Sequence, residues 1–158
     1  MAAIIGITFK EVEDVIHNNG LASIDIANLN SPTQFVISGP NDEVRKAQGS
    51  FERAGARLYL PLKVSGAFHS RDMQGAKDEF AVFLNDFEFS SLTIPVISNA
   101  RAKPYVHKDI KANLADQITS PVRWIESIQY LLSHPETEFD EIGPGSVLTR
   151  MIKQIQMA

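Results

Sequence analysis

The order of predicted strands and helices in the first 62 residues constrains the fold most strongly. The predicted strands span 2–7, 22–28, 34–38 and 57–60, and the predicted helices span 10–18 and 41–54. Gly20 ends the first helix, and Asn41 caps the second. The order β-α-β-β-α-β favours a ferredoxin-like subdomain over residues 1–62, in which two helices cover one face of a four-stranded antiparallel sheet.

The pattern changes from about residue 65, where long helices are separated by isolated predicted strands. Helices are predicted near 70–85, 109–118, 122–133 and 146–154, with strands at 94–98 and 139–142. These two strands have no obvious partner in the chain, and a lone strand leaves backbone groups unpaired. We therefore expect an α/β (α+β) chain in which residues 63–158 supply only part of a parallel sheet.

Composition excludes several classes of function. The 158 residues include no cysteine, so thiol nucleophiles and thiolate metal sites are absent, and the four histidines lack the spacing of a metal site. A net charge of −4 without a Lys/Arg cluster argues against a nucleic-acid partner. No apolar run has the length of a membrane span, and no signal peptide is evident, so we expect a cytoplasmic protein with no membrane partner.

A candidate general base lies where a predicted strand gives way to a helix. His69 follows an extended stretch predicted from Leu58 to Val64, and a helical apolar stripe begins at Met73. Imidazole takes up and returns protons near neutral pH, although a histidine here could also be a surface or capping residue. Asn99 follows the C-terminal end of a predicted buried strand, where α/β proteins place their sites, and is a candidate substrate-binding residue.

Five sequence blocks extend over nearly the whole chain. They are NLNSPTQFVISG at 28–39, VSGAFHS at 64–70, PVISN at 95–99, QITSPVRW at 117–124 and GPGSVLT at 143–149. Together they resemble the acyltransferases that load malonyl groups onto acyl carrier proteins, above all the free-standing enzymes that serve polyketide synthases. The resemblance implies that residues 63–158 are the C-terminal part of the large subdomain, an α/β-hydrolase-like acyltransferase core.

The resemblance also implies a reaction and its residues. Family members move malonyl from coenzyme A to the phosphopantetheine thiol of an acyl carrier protein through a serine ester, in polyketide or fatty-acid biosynthesis. His69 matches the general base, and Gln117 matches a residue whose backbone carbonyl accepts the other ring N–H. The coenzyme A thioester is then a substrate, and no bound cofactor is implied.

Two further residues are assigned to the substrate side by the resemblance. In related enzymes an Ala-Phe-His pattern accompanies malonyl selectivity, so Phe68 is expected to limit the acyl pocket, while a core aromatic is the alternative. A bulky ring discriminates against one extra methyl by only about 1–3 kcal/mol. Asn30 lies in a hairpin that faces the cleft in family members, although Asn30-Ser31-Pro32 is also ordinary turn chemistry.

The chain departs from the family by lacking a Gly-His-Ser-x-Gly elbow, a Gly-Gln-Gly segment and a recognisable arginine for the malonyl carboxylate. Arg71 and Arg123 are weak candidates for that arginine. We expect the C-terminal portion of an acyltransferase, inactive by itself, whose partners are malonyl-CoA, an acyl carrier protein and the missing N-terminal portion. The alternatives are an acyl hydrolase of the same fold and a non-catalytic carrier-protein docking module with a modest basic rim at Arg45, Lys46, Arg53, Arg57 and Lys63.

Overall fold

A four-stranded antiparallel sheet organises the first part of the chain in the computed structural model, which describes residues 1–158. The elements are β1 (Ala2–Ile5), α1 (Phe9–Asn18), β2 (Asp25–Ser31), β3 (Gln34–Ser38), α2 (Asn41–Arg53) and β4 (Leu58–Pro61). The strand order is β2-β3-β1-β4, and every neighbouring pair is antiparallel. The predicted ferredoxin-like arrangement is confirmed.

The main hydrophobic core lies between this sheet and its two helices. Thirteen buried residues form it, all between Ala2 and Tyr59. Helix α1 begins at a capping box, in which the Thr8 hydroxyl accepts the backbone N–H of Glu11 and the Glu11 carboxylate accepts that of Thr8. From α2, the fully buried ring of Phe51 packs against Tyr59 with the ring centroids 5.9 Å apart.

Helices and irregular segments make up the rest of the chain. The α-helices are α3 (Gln74–Phe83), α4 (Ile110–Asp116), α5 (Trp124–Leu132) and α6 (Val147–Gln156), with a 3₁₀ turn at Arg71–Met73 before α3. Their shared core is small, since only Ile128, Ile152 and Ile155 form a buried cluster here. None of the helices is long and apolar enough to cross a membrane.

The prediction of strands at 94–98 and 139–142 is wrong. Residues 94–98 form only an isolated bridge between Ile97 and Pro104, and 139–142 has no regular structure. The cause is the lack of a neighbouring strand to pair with their backbone groups. β2 also starts later than predicted, at Asp25, and continues to Ser31, so the turn predicted over residues 30–32 lies at Pro32-Thr33.

A short backbone pairing joins the helical part to the outer edge of β2. The N–H of Val122 donates to the Ala27 carbonyl at 2.8 Å, and the N–H of Leu29 donates to the Val122 carbonyl at 2.9 Å. The bridge between Asn28 and Val122 is parallel. This pairing fixes residues 117–121 beside the sheet, and backbone carbonyls of that segment accept the hydrogen bonds of the candidate histidine.

Candidate active site

The backbone of His69 adopts a left-handed conformation, with φ of 59°. For a residue with a side chain this conformation costs roughly 1–2 kcal/mol, so neighbouring contacts must hold it. One such contact is the N–H of His69, which donates to the carbonyl of Ile118 at 3.1 Å. The candidate base is thus fixed by its backbone as well as by its ring.

The ring of His69 is held by two backbone carbonyls. Its Nδ1 lies 2.8 Å from the carbonyl oxygen of Gln117 and 3.2 Å from that of Ser120. Because a carbonyl can only accept, Nδ1 must carry the hydrogen. In the neutral ring the lone pair therefore lies on Nε2, which makes no hydrogen bond within the chain. This tautomer is the one that can accept a proton from a nucleophile at Nε2.

The turn that presents these carbonyls follows α4 and is internally bonded. The carbonyl of Asp116 accepts the N–H groups of Thr119 at 3.1 Å and Ser120 at 3.0 Å. The Asp116 carboxylate pairs with Lys77 of α3 at 2.8 Å and with Arg101 at 2.5 Å. The hydrogen bond from Lys77 is the main reason that the pKa of Asp116 lies below its ordinary value; burial opposes the shift, and Arg101 adds to it.

On the other side of His69, a serine and an arginine close the turn. The Ser70 hydroxyl donates to the carbonyl of Ala67 at 2.6 Å and accepts the N–H of Asp72 at 3.3 Å, capping the 3₁₀ turn. The N–H of Arg71 donates to Asp25 Oδ2 at 2.8 Å, and its Nε lies 3.0 Å from Oδ1. Burial of Asp25 raises its pKa, but the hydrogen bonds from Arg71 outweigh burial and lower it.

His69 opens into a shallow depression of about 360 Å³. Most of the residues that line it are polar. Its polar residues are Asp25, His69, Arg71, Gln74 and Thr119, and its apolar residues are Ile26 and Pro121. The Thr119 hydroxyl already donates to the Asp116 carbonyl at 3.4 Å. The described chain therefore offers a base in a polar depression but no hydroxyl hydrogen-bonded to Nε2.

The structure brings Gln117 to His69 but does not place the other predicted site residues around the ring. Phe68 is 39% exposed, and its ring lies alongside Gly66. Asn99 is exposed, and its carbonyl accepts the N–H of Arg123 at 2.9 Å. Asn30 is half-buried within β2. None of these three side chains lines the depression.

The two arginines considered for a substrate carboxylate are both paired within the chain. Arg71 forms an ion pair with Asp25, and Arg123 forms one with Glu126, three residues away in α5. A guanidinium paired with a carboxylate forms a neutral pair, which attracts a malonyl carboxylate less than an unpaired arginine does. The residues described here therefore supply no free arginine at the candidate site.

Sequence reasoning missed three contributors to the site: the carbonyl of Ser120, Asp25 and the cluster around Asp116. Ser120 lies within a sequence block, but no residue type marks a backbone acceptor. Asp25 is 46 positions from Arg71, and Asp116 is 39 from Lys77. Only the fold brings such distant residues together, so no local spacing could have indicated them.

Curated relatives match nearly the whole of this chain. No protein-family model matches the chain. It is 50% identical over 157 residues to the polyketide biosynthesis malonyl CoA-acyl carrier protein transacylase BaeC of Bacillus velezensis, and 49% identical over 157 residues to PksC of Bacillus subtilis. Each alignment covers 99% of this chain and 54% of the relative. The chain thus spans about half the length of these curated relatives.

Solved structures agree. A malonyl CoA-acyl carrier protein transacylase from Burkholderia pseudomallei superposes with a TM-score of 0.93 at 44% identity, over 99% of this chain and 55% of that one. A type II polyketide malonyl-transacylase in complex with its acyl carrier protein gives 0.92 at 33% identity, over 98% and 50%. Over nearly its whole length, the chain is therefore homologous to about half of a malonyl CoA-acyl carrier protein transacylase, the family that its sequence blocks indicated.

Proposed function

We propose that this chain is the base-bearing, C-terminal part of an acyltransferase that moves malonyl from coenzyme A to the phosphopantetheine thiol of an acyl carrier protein. The observation that carries the proposal is the ring of His69. Its Nδ1–H is engaged by the carbonyls of Gln117 and Ser120, which leaves the lone pair of Nε2 for a nucleophile. On this proposal residues 1–62 are the small subdomain and residues 63–158 belong to the large one.

The chemistry needs a serine supplied by the complementing part of the enzyme. Nε2 of His69 takes the serine proton as the hydroxyl oxygen attacks the thioester carbonyl, and the imidazolium returns that proton to the departing coenzyme A thiolate. In the second half, Nε2 deprotonates the carrier thiol, which attacks the serine ester, and the proton returns to the serine oxygen. Throughout, the Gln117 and Ser120 carbonyls keep hold of Nδ1–H and turn their negative ends toward the positive charge.

Exposed apolar side chains support the need for a complementing part. Helix α3 has no buried residue, and Phe83 is 56% exposed. Nearby, Phe87 is 44% exposed and packs on Phe83 with the ring centroids 4.8 Å apart. In the two segments that failed to form strands, Ile94 is 72% and Ile142 is 98% exposed. Apolar groups on an otherwise polar surface favour a covering polypeptide, and the unmatched half of the relatives is the proposed one.

Acyl choice is assigned to Phe68. Its ring immediately precedes the base and is partly exposed, so it can line one side of an acyl pocket completed by the other half. We propose that it favours malonyl over methylmalonyl, and that Phe68→Ser relaxes the preference by about 10–200-fold. Asn30 and Asn99 are proposed to contact substrate only in the completed cleft.

To test this proposal, the chain is fused to the part of the Bacillus velezensis transacylase that does not align with it; this fusion is the joined protein. Malonyl transfer from labelled malonyl-CoA to a phosphopantetheinylated carrier protein is expected in the joined protein and not in the chain alone. His69→Ala should lower kcat by about 100- to 10,000-fold, the usual contribution of a general base. His107→Ala, at an exposed histidine without a side-chain hydrogen bond, is the matched control and should not change it.

The outcomes separate this function from the alternatives. Full transfer by the His69→Ala protein would overturn the assignment of the base. Release of free malonate without loading of the carrier protein would instead establish the hydrolase. Binding of the carrier protein with no turnover in any joined protein would establish the docking module.

A further inference from the structure

One ion pair joins the turn that carries His69 to the four-stranded sheet. Asp25, the first residue of β2, accepts the backbone N–H of Arg71 at 2.8 Å and the Nε–H of the same residue at 3.0 Å. The Asp25 side chain is only 21% exposed, whereas that of Arg71 is 64% exposed. The carboxylate is therefore the fixed member of the pair, and the arginine reaches to it from the turn.

The backbone around His69 needs such a contact. His69 has a φ of 59°, two residues before Arg71, and a left-handed residue relaxes unless both flanks of its turn are held. On the upstream flank, Ser70 bonds back to Ala67. On the downstream flank, Asp25 holds the N–H of Arg71, and it is the one hydrogen-bonding group from the sheet that reaches residues 67–73.

Neither member of the pair forms a hydrogen bond with the imidazole. The hydrogen-bond partners of the His69 ring are the carbonyls of Gln117 and Ser120, and Asp25 makes its bonds to Arg71. The charge of Arg71 is balanced by that of Asp25, so the pair as a whole offers little net charge to a substrate carboxylate. The direct covalent route from the pair to the base is the backbone between residues 69 and 71.

We propose that Asp25 is a positioning residue for His69: by holding the N–H of Arg71, it keeps the left-handed turn closed and the Nδ1–H aligned on its two carbonyls. The inference rests on the proposed function for its effect on turnover, but its effect on the ring does not depend on turnover. The guanidinium of Arg71 has a secondary part, since it keeps the carboxylate ionised and oriented.

Three variants separate the two bonds. Asp25→Ala removes both acceptors and should lower kcat for malonyl transfer about 10- to 100-fold, the scale of a misplaced catalytic group. Arg71→Ala keeps the backbone N–H that Asp25 accepts, so its kcat should fall by less than about fivefold. Asp25→Asn keeps one carbonyl oxygen for the N–H and should fall between them; it also replaces Asp25→Ala if that protein does not fold. A residue that only positions His69 should leave the KM for malonyl-CoA within twofold, whereas a rise in KM would show that the pair binds substrate.

A ring-nitrogen measurement separates positioning from general destabilisation. In the ¹⁵N-histidine-labelled chain, His69 should show a protonated Nδ1 and an unprotonated Nε2 in the wild type. Asp25→Ala should average these two signals toward a mixture of tautomers. Glu43→Gln, which breaks the exposed ion pair to Lys46, is the matched control and should change neither the signals nor kcat.

The two proposals fail in different ways. If the wild-type joined protein transfers no malonyl, the proposed function is wrong, while the nitrogen signals of the Asp25 variants still test positioning. If Asp25→Ala leaves the His69 signals unchanged, Asp25 does not position the ring. That result overturns the inference even if the same variant unfolds more easily.

Discussion

Because the backbone at His69 is left-handed, we expect the His69→Gly protein to be more stable than the His69→Ala protein. His69→Ala and His69→Gly both remove the imidazole and its two hydrogen bonds, so the difference between them reports on the backbone alone. At φ of 59°, alanine keeps a strain of roughly 1–2 kcal/mol that glycine does not have. Glycine loses more unfolded-chain entropy on folding, about 0.4–1 kcal/mol, so it should be the more stable variant by about 0.5–1 kcal/mol.

An ordinary helical position gives the opposite sign and serves as the control. Arg45 is exposed in the middle of α2, and its side chain makes no hydrogen bond. There, glycine should be less stable than alanine by about 1 kcal/mol. The two sites together therefore predict an inversion of about 1.5–2 kcal/mol in the preference between the same two residues.

Urea unfolding of the four variants measures this inversion. Trp124 is the only tryptophan and begins α5, close in sequence to the turn that holds His69, so its fluorescence follows the helical part of the chain. Circular dichroism follows the whole chain, and unfolding midpoints are compared at an unchanged slope. A His69→Ala protein as stable as His69→Gly would refute the strained turn on which the site geometry depends.

Three further perturbations test the packing and the charges. Asp116→Asn should destabilise the protein at pH 7, and the difference from wild type should vanish in acid. The reason is that Lys77 lowers the pKa of Asp116 in the folded chain, so the carboxylate stabilises the fold above its unfolded-state pKa and loses this effect as pH falls through its folded-state pKa. An equal loss of stability at pH 7 and in strong acid would contradict this. Burial raises the pKa of Tyr59 to about 12, so stability should fall as pH rises from about 10, and one of the three tyrosines should ionise late in an absorbance titration unless Tyr59 is replaced by Phe. Phe51→Ala empties the centre of the sheet core and should cost about 3–5 kcal/mol by urea unfolding, whereas a loss under 1 kcal/mol would show a poorly packed core.

The first part of the fold could be predicted because its signals are local. The apolar run at 35–37, the acidic residues that open α2 and the glycine after α1 each act within a few positions, and the resulting β-α-β-β-α-β order has one common antiparallel arrangement. The predicted cap at Asn41 is wrong, because Asn41 is the first residue of α2, the N-cap is Pro40, and no side chain caps this helix. The end of β2 was harder to place. Val122 pairs with its outer edge, and that pairing comes from far along the chain.

Segments 94–98 and 139–142 show where local signals are insufficient. Residues 94–98 are mainly apolar, and 139–142 has an apolar residue at each end, but a strand exists only when another backbone pairs with it. In the structure Ile94 and Ile142 are largely exposed instead. The apolar pattern predicted burial correctly only if a further polypeptide is present, as the proposed function requires.

The sequence indicated which residues carry the candidate site, but not all of the contacts that hold them. The run from Val64 to Ser70 marked His69, and the resemblance pointed to the Gln117 carbonyl, which does lie at hydrogen-bond distance. The second acceptor at Ser120 and the contact of Asp25 with the turn depend on tertiary packing. Backbone carbonyls and distant carboxylates leave no local trace in a sequence, so these contacts had to come from the structure.

The most direct test of the central claim is the location of the malonyl group after malonyl-CoA reacts with this chain and the complementing half supplied as two separate polypeptides. Intact mass spectrometry weighs each polypeptide. We expect one malonyl group on the complementing half, none on this chain, and adduct formation about 100- to 10,000-fold slower when His69 is replaced by Ala. A malonyl group on this chain would contradict the account, because the chain would then carry its own nucleophile and His69 would not be the base for a serine outside it.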